Sequence, residues 1–261
     1  MLSDRHTSEN PPVYSSANNQ RLVRNTAREC STLKLCPYEL SVQMTSESDY
    51  KAADRRPIQS RNTRWAEAAT SGLVHAGISP NTISIVGMFA AIAAGVAFYS
   101  TSNTLDPVQR ILWFCGGLLC QLRLLSNLFD GMVAVARNIA SAKGEIYNEV
   151  PDRVSDAAIL IGLGYSVGGD IVLGYVAAVT SIFVAYVRAV AISIGARNDF
   201  CGPMAKPQRM ALVTALAMYL AFSPGAWRLP WSEVQIVLLV VIVGGLLTAT
   251  RRLTRAGKHL A

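Results

Sequence analysis

Residues 127–156 read NLFDGMVAVARNIASAKGEIYNEVPDRVSD and lie between long apolar runs. The stretch carries Asp130, Glu145, Glu149, Asp152 and Asp156, together with Asn127 and Asn148. Carboxylates at the edge of a membrane segment are costly unless they bind a partner, so this placement marks a candidate site. At helical spacing Asn127, Asp130 and Ala134 share one face, and Gly144, Asn148, Asp152 and Asp156 share another. Two antiparallel helices joined near Ser141–Gly144 could bring those faces together as a cluster of oxygen ligands. Hard divalent cations take such ligands, and Mg2+ holds substrate phosphates through a few carboxylates. The small residues Gly131, Ala134 and Gly144 leave room for a nucleotide or diphosphate against the backbone.

Outward from this stretch, the apolar segments are residues 80–99, 108–129, 154–166, 171–194, 210–222 and 233–248. A span of the hydrocarbon core takes roughly 20 apolar residues. The third and fifth segments are shorter, so their helices are expected to extend into polar flanks. The expected fold is an all-α membrane protein with six transmembrane helices over residues 80–250. Hydrophobic residues at 51% and a mean hydropathy of +0.30 agree with a membrane protein.

Ahead of the spans, Trp65, Ala68, Ala69, Leu73 and Val74 recur at helical spacing behind Arg55, Arg56, Arg61 and Arg64. Residues 51–79 therefore read as a cytoplasmic amphipathic helix lying on anionic lipid. Residues 1–50 are polar and aperiodic, the pattern of a disordered extension. Residues 251–261 form a basic tail.

The net charge of +7 is explained by topology rather than by nucleic acid, since no nucleic-acid-binding motif is present. With the N-terminus in the cytoplasm, 20 of the 24 Lys and Arg fall on the inner side. Only Arg110 and Arg228 lie in outer loops, while Arg123 and Arg188 lie within spans. This asymmetry places both termini and the stretch 127–156 on the cytoplasmic face. The five cysteines are scattered and imply no disulfide framework, and no histidine is placed as a ligand.

The same residues resemble the CDP-alcohol phosphotransferase (CDP-alcohol phosphatidyltransferase) family, whose pattern is D-x-x-D-G-x-x-A-R-x8-G-x3-D-x3-D. Asp130, Gly131, Ala134, Gly144 and Asp152 match it with the spacing kept. SPNTIS at the mouth of the first span and YVRAVAISIGARNDFCGPMAKPQRMA, from Tyr186, are also similar to members of the family. The resemblance runs from about Arg55 to the last span. It implies an integral transferase of the bacterial inner membrane, working in phospholipid biosynthesis. Such an enzyme moves a phosphatidyl or related phospho group from a CDP-diacylglycerol-type donor to an alcohol and releases CMP. It further implies Mg2+ or Mn2+ held among Asn127, Asp130, Asn148 and Asp152, with Asp152 as general base. Gly131, Ala134 and Gly144 would lie against the CDP, and a homodimer through the later spans is implied as well.

Three positions depart from the pattern: Asn127 and Asn148 stand where it has Asp, and Val135 where it has Arg. An amide oxygen is still a hard ligand but carries no charge. Asp156 is the expected compensating carboxylate, and Arg137 the expected substitute for the missing cation. Arg123 precedes Asn127 by four residues, on the same face. It reads as a structural ion pair, as a guanidinium holding a phosphate, or as a replacement for a metal's charge in a non-catalytic relative. Arg188, Lys206 and Arg209 are further candidate phosphate ligands, or ordinary inner-side charges. Arg153 could pair with Asp156 or bind phosphate. A non-catalytic membrane relative that keeps the fold remains the alternative.

Overall fold

A computed structural model describes residues 63–139, 142–196, 198–224 and 231–260, apart from the side chains of residues 142, 143, 145 and 260. The predicted N-terminal extension and Arg55, Arg56, Arg61 and Arg228 lie outside the described residues, as does the side chain of Glu145. The described chain is all-helical: α1 (Arg64–His75), α2 (Pro80–Ser100), α3 (Val108–Ala136), α4 (Ala142–Gly164), α5 (Ile171–Ser193), α6 (Lys206–Phe222) and α7 (Glu233–Leu260).

Local chemistry sets the helix starts. Ser79 caps α2, its Oγ accepting from the Thr82 amide at 3.1 Å, with Pro80 at the first helical position. Asp170 caps α5 through the Leu173 amide at 2.8 Å. The short third and fifth apolar segments extend as expected: α4 begins at Ala142 and α6 at Lys206, both inside polar sequence. Unlike the apolar run, α7 does not end at Thr248. The residues that follow are helix formers, and α7 continues through the basic tail to Leu260.

By length and composition, α2, α3, α5 and α7 can each cross a membrane. The polar first half of α4 and the 17-residue length of α6 keep those two out of that set. Large apolar side chains such as Val86, Phe89, Val96, Val172, Val179 and Leu247 point outward from the long helices, as a lipid-facing surface requires.

The helices form a ring. α2 packs on both α3 and α4; α3 continues to α6, α4 to α5, and α5 to α7. Phe98, Trp113, Ile159, Leu160, Leu163, Met210, Val213 and Leu238 fill the core. The α2–α4 crossing is close because Gly95 and Gly162 oppose each other; a Cβ on Gly162 would meet the Gly95 Cα at 2.5 Å. α3 and α4 make little direct contact with each other. Both lean on α2, so their polar ends face across a gap that side chains bridge.

α1 lies against the end of α3. Ala66 and Thr70 are its buried residues; Thr70 Oγ1 approaches Met132 Sδ at 3.7 Å, and Trp65 meets Phe129 edge-on at 6.0 Å. Trp65 and Ala68, expected to dip into lipid together, both stay exposed to the outside of the protein.

Candidate active site

The site forms where the end of α3, the first half of α4 and the start of α6 meet. Asp130 is buried near the end of α3. Its Oδ2 accepts from Ser84 Oγ of α2 at 2.7 Å, and its Oδ1 accepts from the Gly131 amide at 2.5 Å. Asp152 of α4 is also buried, and its Oδ1 accepts from both Arg123 Nη2 and Lys206 Nζ. Arg153 Nη2 stands 3.9 Å from Asp152 Oδ2. Asp130 lies within electrostatic range of Asp152 and Arg123. The structure thus brings together Arg123, Asp130, Asp152, Arg153 and Lys206 from three helices.

Arg123 is fully buried, yet only part of its guanidinium is engaged. Among the described residues its Nε and Nη1 have no hydrogen-bond partner, and neither has Asn127 Oδ1 one turn away. Gly87 of α2 makes the room for this side chain, since a Cβ there would stand 2.7 Å from Arg123 Nη1 and 2.5 Å from Ser126 Cβ. Ser84 and Gly87 are site residues that sequence reasoning missed.

Two further ion-pair groups flank Asp152. Deeper in the bundle, Arg209 Nη2 donates to Asp156 Oδ2 at 2.5 Å, with both side chains almost wholly buried. Toward the surface, Glu149 holds Arg153 at 2.7 Å and also Arg188, whose guanidinium lies over the Phe200 ring at 5.6 Å. Arg153 therefore pairs with Glu149, one turn before it, rather than with Asp156, which is turned inward to Arg209. Asp156 does not join Asp130 and Asp152 as a third carboxylate. Arg137 does not substitute for the missing cation either: its Nη2 donates to the Val74 carbonyl at 3.0 Å and ties down the end of α1. Asn148 is exposed on α4, while Gly131, Ala134 and Gly144 are partly covered.

These residues fit one divalent ion better than two. Asp130, the unpartnered Asn127 oxygen and Asp152 Oδ2 are hard donors of the right kind. Among the described residues no three carboxylate, imidazole or thiolate side chains gather at one point. The remaining acids nearby, Glu149 and Asp156, are engaged by arginines.

Fold and site together define a helical membrane protein with two buried aspartates and a cluster of cations at one end of its bundle. Residues 77–248 match the sequence profile of the CDP-alcohol phosphatidyltransferase family, and the chain belongs to that family. Among its relatives is the phosphatidylinositol phosphate synthase of Mycobacteroides abscessus, 29% identical over 189 residues, covering 70% of this chain and 79% of the relative. The crystal structure of the Mycobacterium tuberculosis phosphatidylinositol phosphate synthase with CDP-DAG bound shares the fold. It has a TM-score of 0.61 at 22% identity over 74% of this chain and 94% of that one. A second structure of that enzyme, in complex with manganese and citrate, superposes with a TM-score of 0.59 at 22% identity, over 73% and 88% of the two chains.

Proposed function

We propose that this protein transfers a phosphatidyl group from a CDP-diacylglycerol-type donor to a phosphorylated polyol of the inositol phosphate kind, releasing CMP, in phospholipid biosynthesis. The observation that carries the proposal is the burial of two aspartates, Asp130 and Asp152, at the same end of the bundle, with Arg123, Arg153 and Lys206 gathered around Asp152. The names of the relatives suggest the phosphorylated acceptor, and the arginines Arg153 and Arg188 at the mouth suit its phosphate.

In this reading the CDP lies along Gly131, Ala134 and Gly144. Asn127, Asp130 and Asp152 hold Mg2+ or Mn2+, with Asn148 at the rim. A bound divalent ion would supply charge neutralisation at the donor diphosphate. The acceptor hydroxyl oxygen attacks the phosphatidyl phosphorus, the bond from that phosphorus to the CMP oxygen breaks, and the hydroxyl proton passes to Asp152. A carboxylate held by two cations is a poor base. The donor's diphosphate competes for Lys206 and Arg123 and so releases Asp152 for that role.

The test is CMP release from CDP-diacylglycerol by purified protein, with Mg2+ or Mn2+ and a panel of acceptors: inositol phosphate, inositol, glycerol 3-phosphate and serine. Release is expected with inositol phosphate and not with inositol. Release only with an unphosphorylated acceptor would overturn the acceptor assignment. No release with any acceptor would favour a non-catalytic relative in which the bridges to Asp152 are permanent.

For the membrane arrangement we propose six spans, α2 to α7, with α4 and α6 completing the set because they sit within the ring of apolar helices. Both termini and the site then face the cytoplasm of a bacterial inner membrane, α1 lies along its surface, and later helices can pair two copies. Single cysteines introduced at Ser102 and Gly168 in a cysteine-free background should react with a membrane-impermeant maleimide from outside intact cells, and one at Asn148 should not. Labelling of Asn148→Cys from outside would invert the topology.

A further inference from the structure

We propose that the site holds a single divalent ion and that the Arg123 guanidinium supplies a further fixed positive charge, binding the donor diphosphate directly. The inference rests on the donor assignment above and goes beyond it.

Four observations converge. First, the buried oxygen donors of the site carry only two negative charges, Asp130 and Asp152, and Asn127 adds a neutral oxygen. A donor set with so little charge holds a second divalent ion poorly. Second, the positive charge of Arg123 is already beside Asp152, bound to its Oδ1. A cation bonded to that oxygen competes with an ion for the same ligand. Third, Arg123 is fully buried while its Nε and Nη1 have no partner among the described residues. A buried guanidinium with unused N–H groups is destabilising unless a ligand completes it, and phosphate oxygens accept from the guanidinium fork in pairs. Fourth, the space is made for it: α2 carries Gly87 where any side chain would press on Arg123 Nη1 and on Ser126.

The unpartnered Asn127 oxygen sits one helical turn from Arg123 on the same face of α3. It completes the other half of the arrangement. Asp130 and Asn127 make the one-ion side, and Arg123 with Lys206 the side where the protein supplies the charge itself. Asp152 is bonded to both of these cations.

The experiment counts metal directly. Full-length protein in detergent micelles is titrated with Mn2+ at saturating CDP-diacylglycerol, and bound Mn2+ is read by electron paramagnetic resonance. Donor affinity is measured in parallel with Mn2+ and with EDTA. The wild-type chain is expected to bind a single Mn2+. Arg123→Leu should weaken CDP-diacylglycerol binding about tenfold or more, the loss expected for hydrogen bonds to a charged group. Arg123→Lys should recover part of that loss. The triple variant Arg123→Leu, Asn127→Asp, Asn148→Asp should bind two Mn2+ and regain donor affinity. Two Mn2+ on the wild-type chain, or Arg123→Leu binding donor as tightly as wild type, would overturn the inference while leaving the transferase reading intact. Failure of the wild-type chain to bind CDP-diacylglycerol under any metal condition would overturn both. The wild-type count does not depend on any variant folding.

Discussion

Asp152→Asn is expected to lower the rate of CMP release by about 10²- to 10⁴-fold, the range set by loss of a positioned proton acceptor. The same substitution also removes the carboxylate charge that Arg123 and Lys206 share. Two like charges then face each other across a neutral amide, and the thermal midpoint should fall as well. These effects separate on addition of donor. If the diphosphate takes over the two cations, CDP-diacylglycerol should restore much of the lost stability to Asp152→Asn without restoring turnover. Binding that survives while chemistry is lost is the signature of a group acting in the transfer step. A variant keeping more than roughly a tenth of the wild-type rate would place the proton acceptor elsewhere. Loss of stability that donor does not repair would mean that Asp152 serves the apo bundle rather than the reaction.

The positions of Asp130 and Asp152 are legible in the sequence because both lie on faces defined by helical period, and period survives without knowledge of the fold. The same holds for the α2 start at Ser79-Pro80 and for the extension of α4 and α6 into polar flanks. What the sequence does not show is which charge answers which. Lys206 reaches Asp152 across 54 residues and Arg209 reaches Asp156 across 53, so these pairings depend on how α6 docks against α3 and α4. By charge counting alone both cations are inner-side charges. Glu149 precedes Asp152 by three residues, the spacing that also separates Asn127 from Asp130, so helical period alone does not show that it turns to Arg153 and Arg188. Gly87 has no local signal at all. Its meaning exists only once α2 is laid against the α3 turn that carries Arg123 and Ser126. Arg137 shows the opposite failure: it is near Val135 in sequence, but the end of α1, with its open Val74 carbonyl, is nearer in space.

Arg209→Met is expected to be among the most destabilising single substitutions in the bundle. Arg209 and Asp156 are almost wholly buried and bonded at 2.5 Å. Removing one partner leaves an uncompensated buried charge, which costs about 3–5 kcal/mol. For a chain of this size that corresponds to a fall of roughly 10 °C in thermal midpoint. The pair itself need not be stabilising relative to apolar side chains of similar volume, because both ions have already given up their hydration. The double variant Asp156→Leu, Arg209→Met should therefore recover most of the loss, and thermal unfolding of the two variants side by side measures it. A midpoint for Arg209→Met equal to wild type would show that Asp156 has another partner or is neutral in the fold. The double variant also decides what the pair is for. Asp156 Oδ1 and Arg209 Nε have no partner among the described residues, so the pair has capacity left for a ligand. If Arg209 binds the acceptor phosphate, the restored double variant should show a raised KM for the acceptor with an unchanged donor affinity. If the pair only locks α6 to α4, the KM for the acceptor should return with stability, and the phosphate contacts then fall to Arg153 and Arg188 at the mouth.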